Sequence, residues 1–104
     1  MPLSRLKTKT SVECLWPYLL SLMKEKPIYA YEIKEKIKEK FGFTIGDVTA
    51  YMVLYKLERD GFVQTEWVMK ENRQRKYYRI TGKGKKLFTE CLDYFGKLKQ
   101  ELSK

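Results

Sequence analysis

The sequence predicts a mainly α fold of the α+β class, with three helices, a β-hairpin and one long C-terminal helix. Apolar residues recur at intervals of three and four in four segments of the 104-residue chain, which is typical of amphipathic helices. Residues 62–80 instead alternate apolar and polar side chains around a short polar turn, which indicates two antiparallel strands. The length fits one domain with a modest core, so self-association would add useful buried surface.

The first predicted helix spans residues 11–24 and contains Pro17. A proline inside a helix removes a backbone hydrogen bond and kinks the helix. Two arrangements are open: one bent helix over the whole segment, which we favour, or a helix that begins near Trp16 with Pro17 in its first turn. Residues 1–10 carry several cations and predict a flexible basic arm.

The second predicted helix spans residues 30–41, where Ile33, Ile37 and Phe41 recur every four positions on one face. Gly42 follows at the position where a glycine commonly ends a helix. A short loop separates this helix from the third, which we expect from Thr44 to Asp60. Thr44 and Asp47 have the spacing of a capping box, in which the threonine is the N-cap.

The third helix is predicted to bury one side against the core and to expose the other. The predicted buried side consists of Val48, Tyr51, Leu54, Tyr55 and Leu57. The predicted exposed side consists of Thr49, Met52, Val53, Lys56 and Arg59.

The hairpin is predicted from strands over residues 62–69 and 75–80, with a polar turn at residues 70–74. Tyr78 and Ile80 share one strand face and are expected to pack on the core, whereas Tyr77 points to the opposite face. Because an isolated hairpin is only marginally stable in water, it must pack against the helices.

Thr81 is predicted to cap the last helix, which covers most of residues 81–104. Its apolar residues alternate at spacings of three and four, as in a coiled-coil seam, and a second apolar face lies beside them. This is more apolar surface than one small domain can cover, so we expect a dimerisation helix rather than one that covers only its own domain. The predicted dimer interface contains Cys14, Leu15, Phe88, Cys91, Phe95, Leu98 and Leu102.

The net charge of +9 is concentrated in one segment. Residues 70–86 contain eight lysines or arginines against the single acid Glu71, so they carry +7 and the rest of the chain carries +2. An even distribution would indicate a solvated surface, whereas a concentrated one favours a polyanion partner, nucleic acid first.

Several classes of function are disfavoured. The chain has no histidine and only two cysteines, Cys14 and Cys91, which do not have zinc-site spacing,. No nucleophile–base pair or phosphate-binding loop is visible, so we expect no enzyme activity, no metal and no cofactor. Neither a membrane-length apolar run nor a signal sequence is present, which predicts a soluble, cytoplasmic protein that does not engage a membrane.

The order of elements matches a winged helix-turn-helix over residues 11–80, since two helices joined by a tight turn precede the hairpin. In such folds the third helix enters the major groove and the hairpin, or wing, reaches the adjacent backbone or minor groove. The partner is then double-stranded DNA. The candidate DNA-binding residues are Thr44, Thr49, Tyr51, Met52 and Lys56 on the third helix; Lys70, Asn72, Arg73, Gln74, Arg75 and Lys76 on the wing; and Lys83 and Lys85 at the start of the last helix.

Three motifs resemble the PadR family of winged helix-turn-helix transcriptional regulators, in its small form with a single C-terminal helix. They are KPIYAYEI at residues 26–33, YMVLYKLERDGFV at residues 51–63 and QRKYYRITGKG at residues 74–84. The resemblance covers most of residues 15–90 and implies a homodimeric DNA-binding repressor, often gated by a small molecule. Ala30 and Met52 depart from the glycine and proline usual in the family.

Three alternatives stay open. Basic residues between aromatic ones also suit an adaptor or an RNA- or single-strand-binding module without operator specificity. Trp16 and Trp67 could together line a site for a flat aromatic effector, although each more commonly fills a core or an interface. Cys14 and Cys91 are interpreted as buried thiols, with a redox role as the alternative.

Overall fold

The computed structural model describes residues 1–104 and contains five α-helices and a three-stranded antiparallel sheet. The fold class predicted from the sequence is confirmed. In chain order the elements are α1 (Pro2–Lys9), α2 (Trp16–Met23), β1 (Ile28–Tyr29), a 3₁₀ turn (Ala30–Glu32), α3 (Ile33–Phe41), α4 (Asp47–Arg59), β2 (Val63–Lys70), β3 (Arg73–Ile80) and α5 (Gly82–Leu102).

The N-terminal segment differs from the expected flexible arm, because residues 2–9 form helix α1. None of its residues is buried, and the Tyr18 hydroxyl ties its end to α2 by donating to the Thr10 carbonyl at 2.6 Å. The single bent helix is also wrong. Helix α2 begins at Trp16 with Pro17 in its first turn, where the missing N–H of proline costs no intrahelical hydrogen bond.

Strand β1 has no counterpart in the sequence prediction. Its two residues pair with β3, Ile28 opposite Tyr78 and Tyr29 opposite Tyr77, so β3 is the central strand of the sheet. Two residues are too few to produce an alternating pattern, which explains why the sequence shows no strand there. The 3₁₀ turn that follows delays the start of α3 to Ile33. The predicted helix end is confirmed, since Gly42 is left-handed with φ of 80°.

Helix α2 lies at the centre of the core and packs against α3, α4, α5 and β3. Its Leu19, Leu20 and Met23 are almost completely buried. Leu15, assigned from the sequence to a dimer interface, belongs instead to the protomer's own core. Its side chain therefore has no surface to offer to a second copy.

Helix α4 differs from the prediction at its start and in the face that it buries. Gly46, not Thr44, is the N-cap, and no side chain caps the helix, so the expected capping box does not form. The buried stripe consists of Ala50, Leu54 and Leu57. Val48, Tyr51 and Tyr55, expected in the core, are 74%, 41% and 64% exposed, whereas Val53, expected at the surface, packs partly against the core. Because the small Ala50 faces the core, the helix is rotated relative to the prediction. The sequence pattern does not reveal this, since the neighbouring apolar residues are larger.

The wing is a regular hairpin with a two-residue turn rather than the five-residue turn expected. Val63 to Lys70 pairs with Ile80 to Arg73 without interruption. Glu71 and Asn72 both have positive φ values, 53° and 62°, as a type I′ turn requires. Tyr78 and Ile80 are buried, which confirms the predicted core-facing side of β3.

The start of α5 is fixed closely against the hairpin. The Thr81 side-chain oxygen accepts from the Gly84 backbone N–H at 3.0 Å, which confirms the predicted cap. The same hydroxyl donates to the Gly61 and Phe62 carbonyls at 2.7 and 3.0 Å. Gly84 is buried and its Cα faces the Phe62 carbonyl, so a Cβ there would clash with that backbone oxygen and lie 2.8 Å from Ile80 Cγ1.

Beyond Cys91, every residue of α5 is exposed. The Cα radius of gyration is 15.1 Å, compared with about 13 Å for a compact chain of this length. The apolar residues left open on this half of the helix are Leu92, Tyr94, Phe95, Leu98 and Leu102. None of the helices combines the length and the apolar character needed to cross a lipid bilayer.

Candidate nucleic-acid interface

The outward face of α4 forms one wall of the candidate interface. Its exposed side chains border a shallow open groove that contains Val48, Tyr51, Met52, Tyr55 and Lys56. Thr49 and the preceding Thr44 are also exposed. The structure therefore brings the five predicted α4-side residues to the surface and adds two that the sequence had placed in the core, Val48 and Tyr55.

Tyr51 lies where α4 faces the wing. Burial, and then the nearby Asp47 carboxylate, raise the pKa of the Tyr51 phenol above its ordinary value. The phenol therefore stays protonated at neutral pH and can donate a hydrogen bond to an anionic oxygen. Asp47 itself pairs with Lys34 at 3.0 Å, which offsets the one negative charge in the first turn of the helix.

The tip of the wing presents two cations side by side. Lys70 and Arg73 are paired across the two strands, and both are exposed, as are Asn72 and Gln74. The Lys70 ammonium lies 5.3 Å from the centre of the Tyr77 ring. Arg73 has no ion-pair partner in the structure. These residues form the part of the wing best able to meet a phosphate.

Arg75 has a different environment from its neighbours. Its side chain is 23% exposed and bonds Glu71 at 3.1 Å, and its guanidinium stacks 5.0 Å from the Tyr29 ring centre. Tyr29 in turn lies 5.5 Å from Tyr77, and the Arg75 Nε is buried without an acceptor. Arg75 thus links β1 to the hairpin on the face of the sheet away from the core.

A cleft of about 240 Å³ separates the wing from α4. The wing contributes Trp67, Gln74 and Lys76, and Tyr31 and Tyr51 stand opposite them. Trp67 is 64% exposed and is paired across the strands with Lys76. Tyr31 was missed by sequence reasoning, because the 3₁₀ turn that presents it has no clear sequence signal.

Lys83 and Lys85 lie at the base of the wing rather than at its tip. The Lys83 ammonium donates to the Asp60 carbonyl at 2.6 Å and lies 4.7 Å from the Phe62 ring centre. Asp60 follows the last turn of α4, about 20 Å along the helix from Asp47 at 1.5 Å per residue. Lys85 is exposed and is the freer of the two.

The two tryptophans do not share a site, which corrects the expectation of a joint aromatic pocket. Trp16 packs against the core and borders a surface depression with Leu57, Phe62 and Leu87. Trp67 lies in the cleft beside α4. Because they occupy different depressions, they cannot sandwich one ligand within a protomer.

A largely apolar cavity of about 320 Å³ lies where α1, α2 and α5 meet. Cys14, Tyr18, Phe88, Cys91 and Phe95 contribute to its wall. Burial, and then the neighbouring Cys14, raise the pKa of the Cys91 thiol. Since the thiolate is the reactive form, this raised pKa lowers the reactivity expected of Cys91 at neutral pH.

Comparison with known proteins agrees with this architecture. A profile of the "Transcriptional regulator PadR-like family" matches residues 19–90. An uncharacterized protein of Lysinibacillus sphaericus is 32% identical over 85 residues, covering 79% of this chain and 78% of its own.

Solved structures give the same result. A transcriptional regulator from Clostridium thermocellum has a TM-score of 0.75 at 28% identity, over 86% of this chain and 89% of its own. A PadR family regulator from Eggerthella lenta has a TM-score of 0.79 at 26% identity, over 96% and 86%. PadR of Bacillus subtilis in complex with operator DNA shares the fold, with a TM-score of 0.69 at 24% identity over 79% of this chain and 48% of its own. From the matched residues and the shared architecture, the chain belongs to the PadR-like family of transcriptional regulators.

Proposed function

We propose that the protein is a homodimeric, sequence-specific DNA-binding regulator that represses transcription by occupying promoter DNA. The observation that carries this proposal is the exposed outer face of α4 beside a basic wing tip. A helix of this kind fits the major groove, and the wing then lies over the flanking phosphates. While the protein is bound, the transcription machinery could not reach the promoter DNA that it covers.

The dimer is proposed from the C-terminal half of α5. Its residues Phe95, Leu98 and Leu102 lie along one face of the helix, and all three are exposed in the protomer. Two-fold symmetry would place two α4 helices against two half-sites of an operator, as in other dimeric helix-turn-helix proteins. Of the residues predicted at this interface, Cys14, Phe88, Phe95, Leu98 and Leu102 are at least partly exposed in the protomer, whereas Leu15 and Cys91 are buried.

The direct test uses fluorescence anisotropy with labelled DNA from the region upstream of the protein's own gene. We expect tight binding that weakens steeply as salt rises, because cationic contacts release counterions from the phosphates. A random duplex of the same length should bind far more weakly. Equal affinity for both duplexes would overturn sequence specificity, and a preference for single strands or RNA would favour the adaptor alternative.

Cations at the wing are expected to differ in their effect on binding. Arg73→Ala should weaken binding to all duplexes and lower the slope of log affinity against log salt by about one, as the loss of one phosphate contact predicts. Arg75→Ala should weaken binding with a smaller change in slope, because its guanidinium is committed to Glu71 and Tyr29. Salt titrations followed by anisotropy measure both.

Lys24→Ala is the matched control for these variants, since it removes an exposed cation from the end of α2. Its salt slope should equal that of the wild type. If Arg73→Ala kept the wild-type slope as well, Arg73 would have no phosphate contact.

A small aromatic effector is proposed to gate the repressor, with the cavity between α1, α2 and α5 as its site. The cavity is apolar, and its volume of about 320 Å³ is in the range of small-molecule sites. It adjoins the proposed dimer helix, so a ligand there could change the angle between protomers. Release of operator DNA by small aromatic molecules, detected by anisotropy, would test the gating.

A further inference from the structure

The outward face of α4 has an unusual composition for a helix that reads DNA. Val48 and Tyr55 are 74% and 64% exposed, and Met52 lies between them at 54%. The helix DVTAYMVLYKLER contains neither asparagine nor glutamine. Its one arginine, Arg59, is in the last turn and pairs with Asp60 at 3.2 Å. The first two turns, residues 47–53, therefore lack the arginine, lysine, asparagine and glutamine side chains that usually bond to guanine or adenine,.

Apolar side chains in the major groove have one natural partner. The thymine 5-methyl is the one methyl group displayed there, and the other groups that distinguish the bases are hydrogen-bond donors or acceptors. Val48 and Met52 are four residues apart, so they lie on the same helix face, about 6 Å apart along the axis. That distance is close to two base-pair steps of about 3.4 Å each.

The surroundings of this apolar face favour DNA over a protein partner. Lys56 borders the same groove, the Lys70 and Arg73 pair lies on the adjacent wing, and Lys34 neutralises Asp47 at the start of the helix. The apolar side chains of α4 therefore lie between cationic ones, an arrangement complementary to thymine methyl groups that lie between phosphates.

We propose that Val48 and Met52 recognise thymine 5-methyl groups, so that the operator half-site contains thymines at the positions facing α4. This inference rests on the proposed DNA-binding function and names the base chemistry that the site reads. Burial of each methyl against an exposed apolar side chain contributes affinity without a hydrogen bond. The same contact is lost for cytosine and for uracil, which lack the methyl.

The test replaces single thymidines of the operator by deoxyuridine, which removes the methyl group and keeps the hydrogen-bonding edges. Anisotropy should show about a fourfold loss of affinity for each contacted methyl, the transfer value of one buried carbon group. Thymines outside the half-sites should tolerate the change. If wild-type protein tolerates uracil at every position while still preferring the operator to random DNA, the inference is overturned and the proposed function stands.

Side-chain variants assign the contacts. Val48→Ala and Met52→Ala should each weaken binding to the thymine operator. In each variant, replacing the thymine at one position by uracil should no longer reduce the affinity. Both positions are exposed, so neither change removes core packing, and circular dichroism checks the fold. Lys56→Ala serves as the control. It should weaken binding to the thymine operator and to the uracil-substituted operator equally, so the loss of affinity caused by uracil should remain. If uracil reduced the affinity of both alanine variants as much as that of the wild type, the assignment to Val48 and Met52 would be overturned.

Discussion

Gly84→Ala is expected to reduce the free energy of unfolding by about 3 kcal/mol or more, which is at the upper end for overpacking. The added methyl would meet the Phe62 carbonyl and Ile80 Cγ1, and the backbone at the start of α5 is fixed by the Thr81 hydrogen bonds. To relieve this clash, α5 would have to move away from the hairpin. Urea denaturation followed by circular dichroism measures the loss.

Gly82→Ala is the matched control for this substitution. Gly82 begins the same helix, and a Cβ built on it meets nothing within 4 Å. Since alanine favours helix over glycine by up to about 1 kcal/mol, this variant should be as stable as the wild type or more stable. If Gly84→Ala behaved like Gly82→Ala, the close approach of α5 to Phe62 would be incorrect.

Replacement of Phe95 and Leu98 by glutamate is expected to yield a monomer and to abolish measurable operator binding. The two side chains are 45% and 39% exposed in the protomer, so the change should leave the fold intact while placing four charges in the proposed interface. Without the dimer, each half-site must be bound alone, and the gain from binding both together is lost. Sedimentation velocity gives the oligomeric state and anisotropy gives the affinity.

Lys97→Glu is a control with the same change in net charge, −2, on the opposite side of α5 from this stripe. It should remain dimeric and bind the operator with only a modest loss. A double variant that still sediments as a dimer would show that the interface lies elsewhere, for example on the exposed apolar residues of α1. A monomer that keeps full affinity would instead remove the need for two half-sites.

The sequence predicts well those features that depend on local chemistry. Gly42 ends α3, Thr81 caps α5, and Tyr78 and Ile80 face the core, as expected. These signals come from a special backbone conformation, a side-chain oxygen at a helix start and strict alternation, and each needs only a few neighbouring residues.

Features set by distant contacts could not be predicted. The register of α4 depends on the small Ala50 fitting the core, so counting large apolar residues rotates the helix incorrectly. Strand β1 exists only because β3 passes beside it. Gly84 reads as a weak helix former, yet its missing side chain is what allows α5 to approach Phe62.

The candidate site was partly predictable for the same reason. Its cations stand out from the charge pattern of residues 70–86. The separate roles of these cations cannot be predicted from the charge pattern, because they depend on tertiary contacts. Arg75 contacts the Tyr29 ring, and Lys83 donates a hydrogen bond to the Asp60 carbonyl. Val48 was assigned to the core because an exposed apolar residue on a surface helix is recognisable only once the true buried face is known.

Strand β1 has a mechanical consequence. It joins β3, the central strand of the sheet, to the 3₁₀ turn that leads directly into α3, and the Arg75 guanidinium contacts the Tyr29 ring at the same junction. The wing is therefore tied to the start of α3 as well as to its own chain neighbours, and this second attachment restricts its movement relative to α3.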